Sequence, residues 1–275
     1  MEFQSCGSHI GCDRDATMFL NVNGVRLHTV MFGTGPRTIV AIGGWAGSWE
    51  MWEDPLGMLS ADGWKCIAFD HRGSGESPVD PELISVQSMI DDIVGVLDQL
   101  NVTTCVLAGE STGGAIAQFA VAQYPDRFSG LVLVDPGTGE RAKPGPNAFA
   151  AACRRDYPAT VKSFIEMCIP EPESDHLRRW GRNILLCAEP EQAARLVEMW
   201  QEEDVPVIDK RKIMQPTLII HGTEDAIVPI ESSRALAGLI PNSELVELSG
   251  CGHVPTMTRP VEVYEAISNR FPLTK

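Results

Sequence analysis

The chain has 275 residues, of which 44% are hydrophobic and 21% are charged, and its formal net charge is −15. This composition is typical of a globular protein with enough chain to bury a large core. The acidic balance argues against a nucleic-acid partner, which would call for a basic surface. No apolar run reaches the roughly 18 residues of a membrane span, and no basic segment followed by an apolar stretch opens the chain.

The first predicted elements are a tail and a β-hairpin, and a parallel sheet follows them. Residues 1–16 are polar and are expected to form a tail, and two alternating runs within 18–31 flank the turn dipeptide Asn23-Gly24. Six later runs are short, rich in Val, Ile and Leu, and nearly continuously apolar, which predicts strands buried on both faces of a parallel sheet. These runs are 38–42, 65–69, 104–108, 131–134, 217–220 and 244–248.

Helices are predicted between these strands. Apolar residues at helical spacing follow Ser85, a suitable N-cap, and a second helix opens at Ser111 and ends at Tyr124, before Pro125. Strands that alternate with helices predict an α/β fold with a mostly parallel central sheet flanked by helices.

Residues 138–212 interrupt this alternation. They contain several helical segments separated by prolines and no convincing strand, which predicts a helical insertion in a core formed by 17–137 and 213–275. The insertion holds 12 of the 22 basic residues but only 13 of the 37 acidic residues, so most of the negative charge belongs to the core. This distribution favours a neutral or mono-anionic small molecule as the substrate.

The cysteines indicate a reducing compartment. None of the eight cysteines forms a C-x-x-C pair or a Cys/His cluster with zinc-site spacing, so we expect free thiols, a cytoplasmic protein and no bound metal. Cys6 and Cys12 lie in the polar tail, and a disulfide between them is an alternative.

The motif that carries the chemistry is Gly109-Glu110-Ser111-Thr112-Gly113, which has the form G-x-S-x-G. It directly follows a predicted strand and directly precedes a predicted helix. In that context the serine occupies a sharp turn that presents its hydroxyl, and the helix N-terminus behind it supplies N–H groups. Ser111 is therefore the predicted nucleophile.

A serine nucleophile needs a base, and His253 is the best placed of the six histidines. It lies in a glycine-containing loop just past the last predicted strand, at the edge of the sheet where open α/β folds place their active sites. His221 and His28 are interpreted as structural, and His9 and His176 lie in the tail and the insertion.

The third member of a triad is a carboxylate that orients the imidazole. Asp225, in the loop after the strand 217–220, is the predicted acid. Asp135, which follows the strand 131–134, and Glu224 remain alternatives. With Asp225 the chain order is Ser, Asp, His, as expected for a serine on a strand-to-helix turn.

An acyl-transfer site also needs donors for the oxyanion. Thr112 supplies one backbone N–H directly after Ser111. The glycine-rich turn 43–48 supplies the second, for which Trp45 is the best placed residue. Gly44 and Trp45 are also predicted to line the substrate pocket, whereas Trp49 and Trp52 belong either to the pocket or to the core of a helical segment.

Together these residues resemble the α/β-hydrolase superfamily over roughly residues 18–272. The matching pieces are the turn at Gly43-Gly44-Trp45, the stretch 70–77 (DHRGSGES), the serine turn, the loop 222–229 and Gly252-His253. The resemblance implies an α/β-hydrolase fold with the insertion as a helical cap, and a structural role for the 70–77 turn, which leaves His71 out of the catalytic set. The family commonly has a histidine that braces the oxyanion loop at the position of Gly43.

Within the superfamily the residues favour a carboxylesterase or lactonase that needs no cofactor. The dehalogenases and epoxide hydrolases use an aspartate in place of Ser111, and carbon–carbon bond hydrolases commonly carry a tryptophan where this chain has Val254. Proline iminopeptidases usually have a fuller G-G-x-W-G loop. Two alternatives from other classes stay open: a hydrolase-like ligand receptor with slow turnover, and a cofactor-free oxygenase or lyase.

Overall fold

The computed structural model describes residues 16–273, and its framework is an eight-stranded sheet. The strands are β1 (Ala16–Val22), β2 (Val25–Phe32), β3 (Arg37–Ile42), β4 (Trp64–Phe69), β5 (Cys105–Glu110), β6 (Phe128–Val134), β7 (Thr217–Gly222) and β8 (Ser243–Leu248). Their order is β1-β2-β4-β3-β5-β6-β7-β8. β2 pairs in antiparallel with β1 and β4, and every other neighbouring pair is parallel. The predicted hairpin and mostly parallel sheet are confirmed.

Helices cover the sheet on both faces. They are α1 (Glu53–Ala61), α2 (Val86–Gln99), α3 (Thr112–Gln123), α4 (Ala148–Arg155), α5 (Tyr157–Cys168), α6 (Asp175–Leu185), α7 (Pro190–Glu198), α8 (Ile230–Leu239), α9 (Pro255–Thr258) and α10 (Pro260–Arg270). Ser85 is the N-cap of α2, as predicted: its Oγ accepts the backbone N–H of Ser88, and its own N–H donates to Oγ of Ser88 in a capping box. Within 16–273, no helix is long and apolar enough to cross a bilayer.

The interval 138–212 lies between β6 and β7 and contains α4 to α7 and no strand. The predicted 1–16 tail and the Cys6–Cys12 alternative fall outside the described residues, apart from Ala16, which already belongs to β1. The six described cysteines are free, and all except Cys187 are buried.

Two tryptophans near the 43–48 turn belong to the core. The ring of Trp52 is fully buried and its indole N–H donates to the carbonyl oxygen of Ile42 at 3.1 Å. Trp49 is also buried, with its ring centroid 5.9 Å from that of Phe32. Both rings therefore stabilise the packing of a short 3-10 helix (Trp49–Trp52) under the turn.

Candidate active site

Ser111 lies in a sharp turn between the end of β5 and the start of α3. Its φ of 52° and ψ of −116° form a combination that a residue with a side chain adopts only under strain. Two glycines make the turn possible, because a Cβ on Gly109 would lie 2.4 Å from the carbonyl oxygen of Gly113, and one on Gly113 would lie 2.4 Å from that of Gly43. The G-x-S-x-G spacing is thus a packing requirement of this turn.

His253 lies in the loop after β8, and its imidazole faces the serine. Nε2 lies 2.9 Å from Oγ of Ser111, and the residue is 2% exposed. Its backbone N–H donates to the carbonyl oxygen of Cys168, the last residue of α5, at 2.8 Å. A Cβ on Gly252 would lie only 2.3 Å from Cδ of Pro170, so a larger residue would displace this loop from the insertion.

Asp225 completes a continuous hydrogen-bonded chain. Its Oδ2 accepts from Nδ1 of His253 at 2.7 Å, and its Oδ1 accepts the backbone N–H groups of Ile227 and Val228 at 2.7 and 2.9 Å. With the hydrogen on Nδ1, Nε2 of His253 is the acceptor for the serine hydroxyl. Burial opposes ionisation of Asp225, but hydrogen bonds with His221 and His253 outweigh it and hold its pKa well below the ordinary value.

The two alternative acids have other contacts. Asp135 is fully buried, and its Oδ1 accepts the N–H of Gly222 at 2.9 Å and lies 3.5 Å from Nδ1 of His221. Burial raises the pKa of Asp135 well above its ordinary value. The side chain of Glu224 is exposed. Of the three acids, Asp225 is the one whose carboxylate is hydrogen-bonded to the imidazole of His253.

His221 contacts Asp225 of the site, a contact that was not predicted from the sequence. Its Nε2 lies 2.9 Å from the carbonyl oxygen of Val228 and 3.2 Å from Oδ2 of Asp225, and its Nδ1 lies 2.7 Å from Oγ of Ser233. Burial lowers the pKa of His221, but the hydrogen bond with Asp225 and the charge of Asp135 outweigh it and raise the pKa. The sequence feature that could have indicated this contact is the position of His221 near the end of β7, four residues before Asp225.

Two aspartates and one histidine of the site are close enough together to hold a metal ion. Single ligand atoms of Asp135, Asp225 and His253 lie within 4.8 Å of one another. All three side chains already have hydrogen-bonding partners in the protein. The group therefore forms a hydrogen-bond network in which Oδ2 of Asp135 has no partner among the described residues.

The two predicted oxyanion donors are backbone N–H groups beside Ser111. Thr112 is the first residue of α3, so its N–H has no acceptor within the helix. Trp45 follows Gly44, which is so close to the serine that a Cβ on it would lie 3.1 Å from Cβ of Ser111. Among residues 16–273, neither N–H donates to a protein acceptor. Both are therefore available to a ligand oxygen.

The turn 43–48 is held from two sides. The carbonyl oxygen of Gly44 accepts from Nε2 of His71 at 2.9 Å, and the indole N–H of Trp45 donates to the carbonyl oxygen of Ala193 in α7 at 2.8 Å. His71 is not among the residues predicted for the site from the sequence. The sequence feature that could have indicated the contact of His71 with this turn is the glycine at position 43 together with a histidine just after the neighbouring strand β4.

An apolar cavity lies beside Ser111 and His253. Gly44 and Trp45, the predicted pocket residues, both lie on its wall, to which the described residues contribute no Asp, Glu, Lys or Arg side chain. Its volume of about 20 Å³ is room for about one water molecule. The insertion supplies much of the wall through Phe164, Ile165, Cys168, Gly181, Ile184 and Leu185.

Comparison with known proteins agrees with this architecture. AB hydrolase superfamily protein YisY of Bacillus subtilis is 28% identical over 228 residues, which cover 79% of this chain and 85% of the relative. An esterase from Exiguobacterium antarcticum has the same fold, with a TM-score of 0.85 at 24% identity over 92% of this chain and 98% of that one. A thermophilic esterase from Thermogutta terrifontis aligns with a TM-score of 0.77 at 28% identity over 92% of this chain and 97% of that one.

The predicted superfamily and the prediction of a hydrolase are confirmed by the match to a family model. The model describes serine aminopeptidases of family S33 and matches residues 36–257. That span includes the turn 43–48, Ser111, Asp225 and His253. The chain belongs to the serine aminopeptidase S33 family of α/β hydrolases.

Proposed function

We propose that the protein is a serine hydrolase that cleaves a small, uncharged carboxylic ester or lactone through an acyl-enzyme. The observation that carries the proposal is the chain of hydrogen bonds from Ser111 Oγ to His253 Nε2 at 2.9 Å and from His253 Nδ1 to Asp225 Oδ2 at 2.7 Å. These atoms have the order and spacing that nucleophile, base and orienting acid require.

In the first half of the reaction Oγ of Ser111 attacks the substrate carbonyl carbon while Nε2 of His253 takes the hydroxyl proton. The carbonyl oxygen becomes an oxyanion that accepts from the N–H groups of Trp45 and Thr112. When the tetrahedral intermediate collapses, the bond to the leaving oxygen breaks and His253 returns the proton to that oxygen. Asp225 holds the imidazole in the productive tautomer and stabilises its charged form.

In the second half His253 removes a proton from water, which attacks the acyl carbon. The second intermediate collapses to release the carboxylic acid and to restore the Ser111 hydroxyl. In a lactone the leaving alcohol remains tethered to the acyl group, so the product is a hydroxy acid. None of these steps needs an organic cofactor or a redox partner.

The lining of the cavity favours an ester over a peptide. An aminopeptidase needs an acidic group to bind the amine of its substrate, and among residues 16–273 no acidic side chain lies on the cavity wall. The wall is instead formed by aromatic and aliphatic side chains and a thiol. The esterase from Thermogutta terrifontis, 28% identical, supports the same choice of substrate class.

No Lys or Arg among the described residues lies on the cavity wall, and three arginines of the insertion are engaged elsewhere, which favours an uncharged substrate over a mono-anionic one. Arg154 bonds to Glu191 and Glu198, and Arg195 bonds to Glu202. Arg178 donates to backbone carbonyl oxygens and to Asp175. A substrate carboxylate in the apolar cavity would therefore be buried without a cation.

We assign residues 17–137 and 213–275 to the hydrolase core and 138–212 to the cap, because α5 and α6 form a wall of the cavity directly over Ser111. A cavity of about 20 Å³ does not hold an acyl group. Substrate entry accordingly requires an outward movement of cap side chains. A cytoplasmic location is part of the same proposal, supported by the six free cysteines of the described chain.

A serine-directed phosphonate and a panel of p-nitrophenyl esters and lactones test the proposal. The phosphonate should attach to Ser111, as located by mass spectrometry of peptides, and should abolish turnover. Ser111→Ala should reduce turnover of p-nitrophenyl acetate by about 10⁴-fold or more with an unchanged circular dichroism spectrum. Comparable activity in that variant, or turnover that survives complete labelling, would refute the assignment.

A further inference from the structure

The peptide group between Gly44 and Trp45 is hydrogen-bonded at its oxygen, whereas its N–H has no acceptor among the described residues. Its N–H, from Trp45, is one of the two oxyanion donors of the proposed function, on which this inference rests. Its oxygen, from Gly44, lies 2.9 Å from Nε2 of His71 and accepts the N–H of Gly47 at 3.1 Å. Nδ1 of the same ring lies farther from a carbonyl oxygen, 3.1 Å from that of Arg72, so we assign the hydrogen of the neutral imidazole to Nε2, which donates to Gly44. A trans peptide group is planar, with its C=O and N–H pointing in opposite directions, so a donor that fixes the oxygen also fixes the direction of the N–H.

His71 is firmly attached to the core. It is 2% exposed, and its carbonyl oxygen accepts both the N–H and the hydroxyl of Ser74, at 3.0 and 2.8 Å. The next residue, Arg72, forms two hydrogen bonds of 2.7 Å with the buried carboxylate of Asp92 in α2. The donor of the Gly44 contact is therefore fixed independently of the cap.

Strand register explains how His71 reaches the oxyanion turn. β3 and β4 are adjacent and parallel, and Ile42 is paired with Phe69. Gly44 and His71 each lie two residues beyond this pair, at the same edge of the sheet. Position 43, where a bracing histidine is common in the family, is a glycine here. The imidazole of His71, just after the neighbouring strand, contacts the turn instead.

We propose that His71 is a positioning residue for the oxyanion hole, which holds the Gly44 carbonyl so that the Trp45 N–H is directed at the oxyanion. The same hydrogen bond polarises the peptide group and makes its N–H a stronger donor. Negative charge develops on the substrate oxygen only as the reaction proceeds. The contact therefore acts mainly on the transition state and little on substrate binding.

The test compares His71→Leu with His71→Gln. His71→Leu removes the donor and should lower kcat by roughly 10- to 100-fold while KM changes by less than about twofold. Affinity for a trifluoromethyl ketone, which forms a tetrahedral adduct with the nucleophile, should fall by a similar factor. The side-chain amide of glutamine can reach the Gly44 oxygen, so His71→Gln should recover most of both losses.

A matched control is His28→Leu. His28 is a second buried histidine, and its Nδ1 bonds Asp70 of the same 70–77 turn at 3.0 Å. This variant should lose thermal stability and keep its kcat. A kcat loss equal to that of His71→Leu would show that general disturbance of the turn, and not the Gly44 contact, limits the rate.

The outcomes separate this inference from the proposed function. Unchanged kcat and ketone affinity in a folded His71→Leu protein would overturn the positioning role alone. If that variant does not fold, His71→Asn, whose amide is too short to reach the oxygen, replaces it, and equal rates for His71→Asn and His71→Gln would overturn the role. A wild-type protein with neither ester turnover nor phosphonate labelling would overturn the proposed function itself.

Discussion

Oε1 of Glu171 accepts the backbone N–H of Gly252 at 2.9 Å, one residue before the imidazole that faces Ser111. Glu171 belongs to the insertion and is 4% exposed, and its carbonyl oxygen accepts from Arg178 at 2.7 Å. With the bond from the His253 N–H to Cys168, this contact joins the histidine loop to the end of α5. The insertion therefore supports the histidine loop as well as enclosing the cavity.

Replacement of Glu171 should slow catalysis more than it weakens substrate binding. Glu171→Leu leaves the N–H of Gly252 buried without an acceptor, which costs about 1–3 kcal/mol and loosens the histidine loop. We expect kcat for an acetate ester to fall by about 10-fold, with KM nearly unchanged, in steady-state kinetics. Glu171→Gln keeps an oxygen acceptor and should remain near wild type.

Glu173→Ala is the control for this prediction, because Glu173 is an exposed carboxylate in the same connection between α5 and α6. It should leave kcat unchanged. Equal kcat values for Glu171→Leu and Glu171→Gln would show that the histidine loop does not depend on the acceptor oxygen.

Asp225→Asn should affect both rate and pH-dependent stability. Loss of the correct imidazole tautomer should lower kcat by about 10⁴-fold. Despite the opposing effect of burial, hydrogen bonds with His221 and His253 lower the pKa of folded Asp225 below its unfolded value of about 3.9. The ionised carboxylate thus stabilises the fold above pH about 4, and this contribution is lost as the pH falls toward the folded pKa.

Denaturant titrations of wild type and Asp225→Asn at pH 7 and pH 3 would measure this contribution. The wild-type advantage in free energy of unfolding should be full at pH 7 and smaller at pH 3. An advantage that is the same at both pH values would contradict the lowered pKa of Asp225.

Glu110 should make the fold less stable as the pH rises. It lies directly before Ser111, is fully buried and accepts from the hydroxyl of Thr256 at 2.7 Å. Burial raises its pKa from 4.5 to about 8, although the hydrogen bond from Thr256 opposes this. Between these two values the folded state holds a proton that the unfolded state has released, so the free energy of unfolding falls with rising pH, by up to about 1.4 kcal/mol per pH unit.

Glu110→Gln removes this titration and keeps an oxygen for the Thr256 hydroxyl. In denaturant titrations from pH 5 to pH 9, the variant should gain stability over wild type up to pH about 8, with no further gain above it. A constant difference across the range would contradict the raised pKa of Glu110.

The sequence predicted those parts of the site that have local signals. The turn at Ser111 follows from glycines two positions on either side, and the sheet follows from short apolar runs. The contacts of His71 with Gly44 and of Glu171 with Gly252 join residues 27 and 81 positions apart, and hydrophobic periodicity carries no record of them. The cavity wall likewise depends on how α5 and α6 pack, which their apolar spacing alone does not determine.

Gly181 of α6 should limit the size of the acyl group that the cavity accepts after the cap side chains have moved outward. A Cβ at this position would lie 2.9 Å from Cδ1 of Ile165 and 3.8 Å from Cε of Met257, both on the cavity wall. Gly181→Ala should therefore narrow the cavity. We expect kcat/KM for p-nitrophenyl acetate to stay within about twofold of wild type and kcat/KM for p-nitrophenyl hexanoate to fall by about 10-fold. The reason is that each methylene group in a tight apolar pocket is worth about 1–3 kcal/mol. Gly238→Ala is the matched control, because Gly238 lies within α8 with no described atom within 4 Å of its Cβ position. This control should gain up to about 1 kcal/mol of helix stability. If the two variants share one ratio of acetate to hexanoate turnover, the acyl group binds elsewhere.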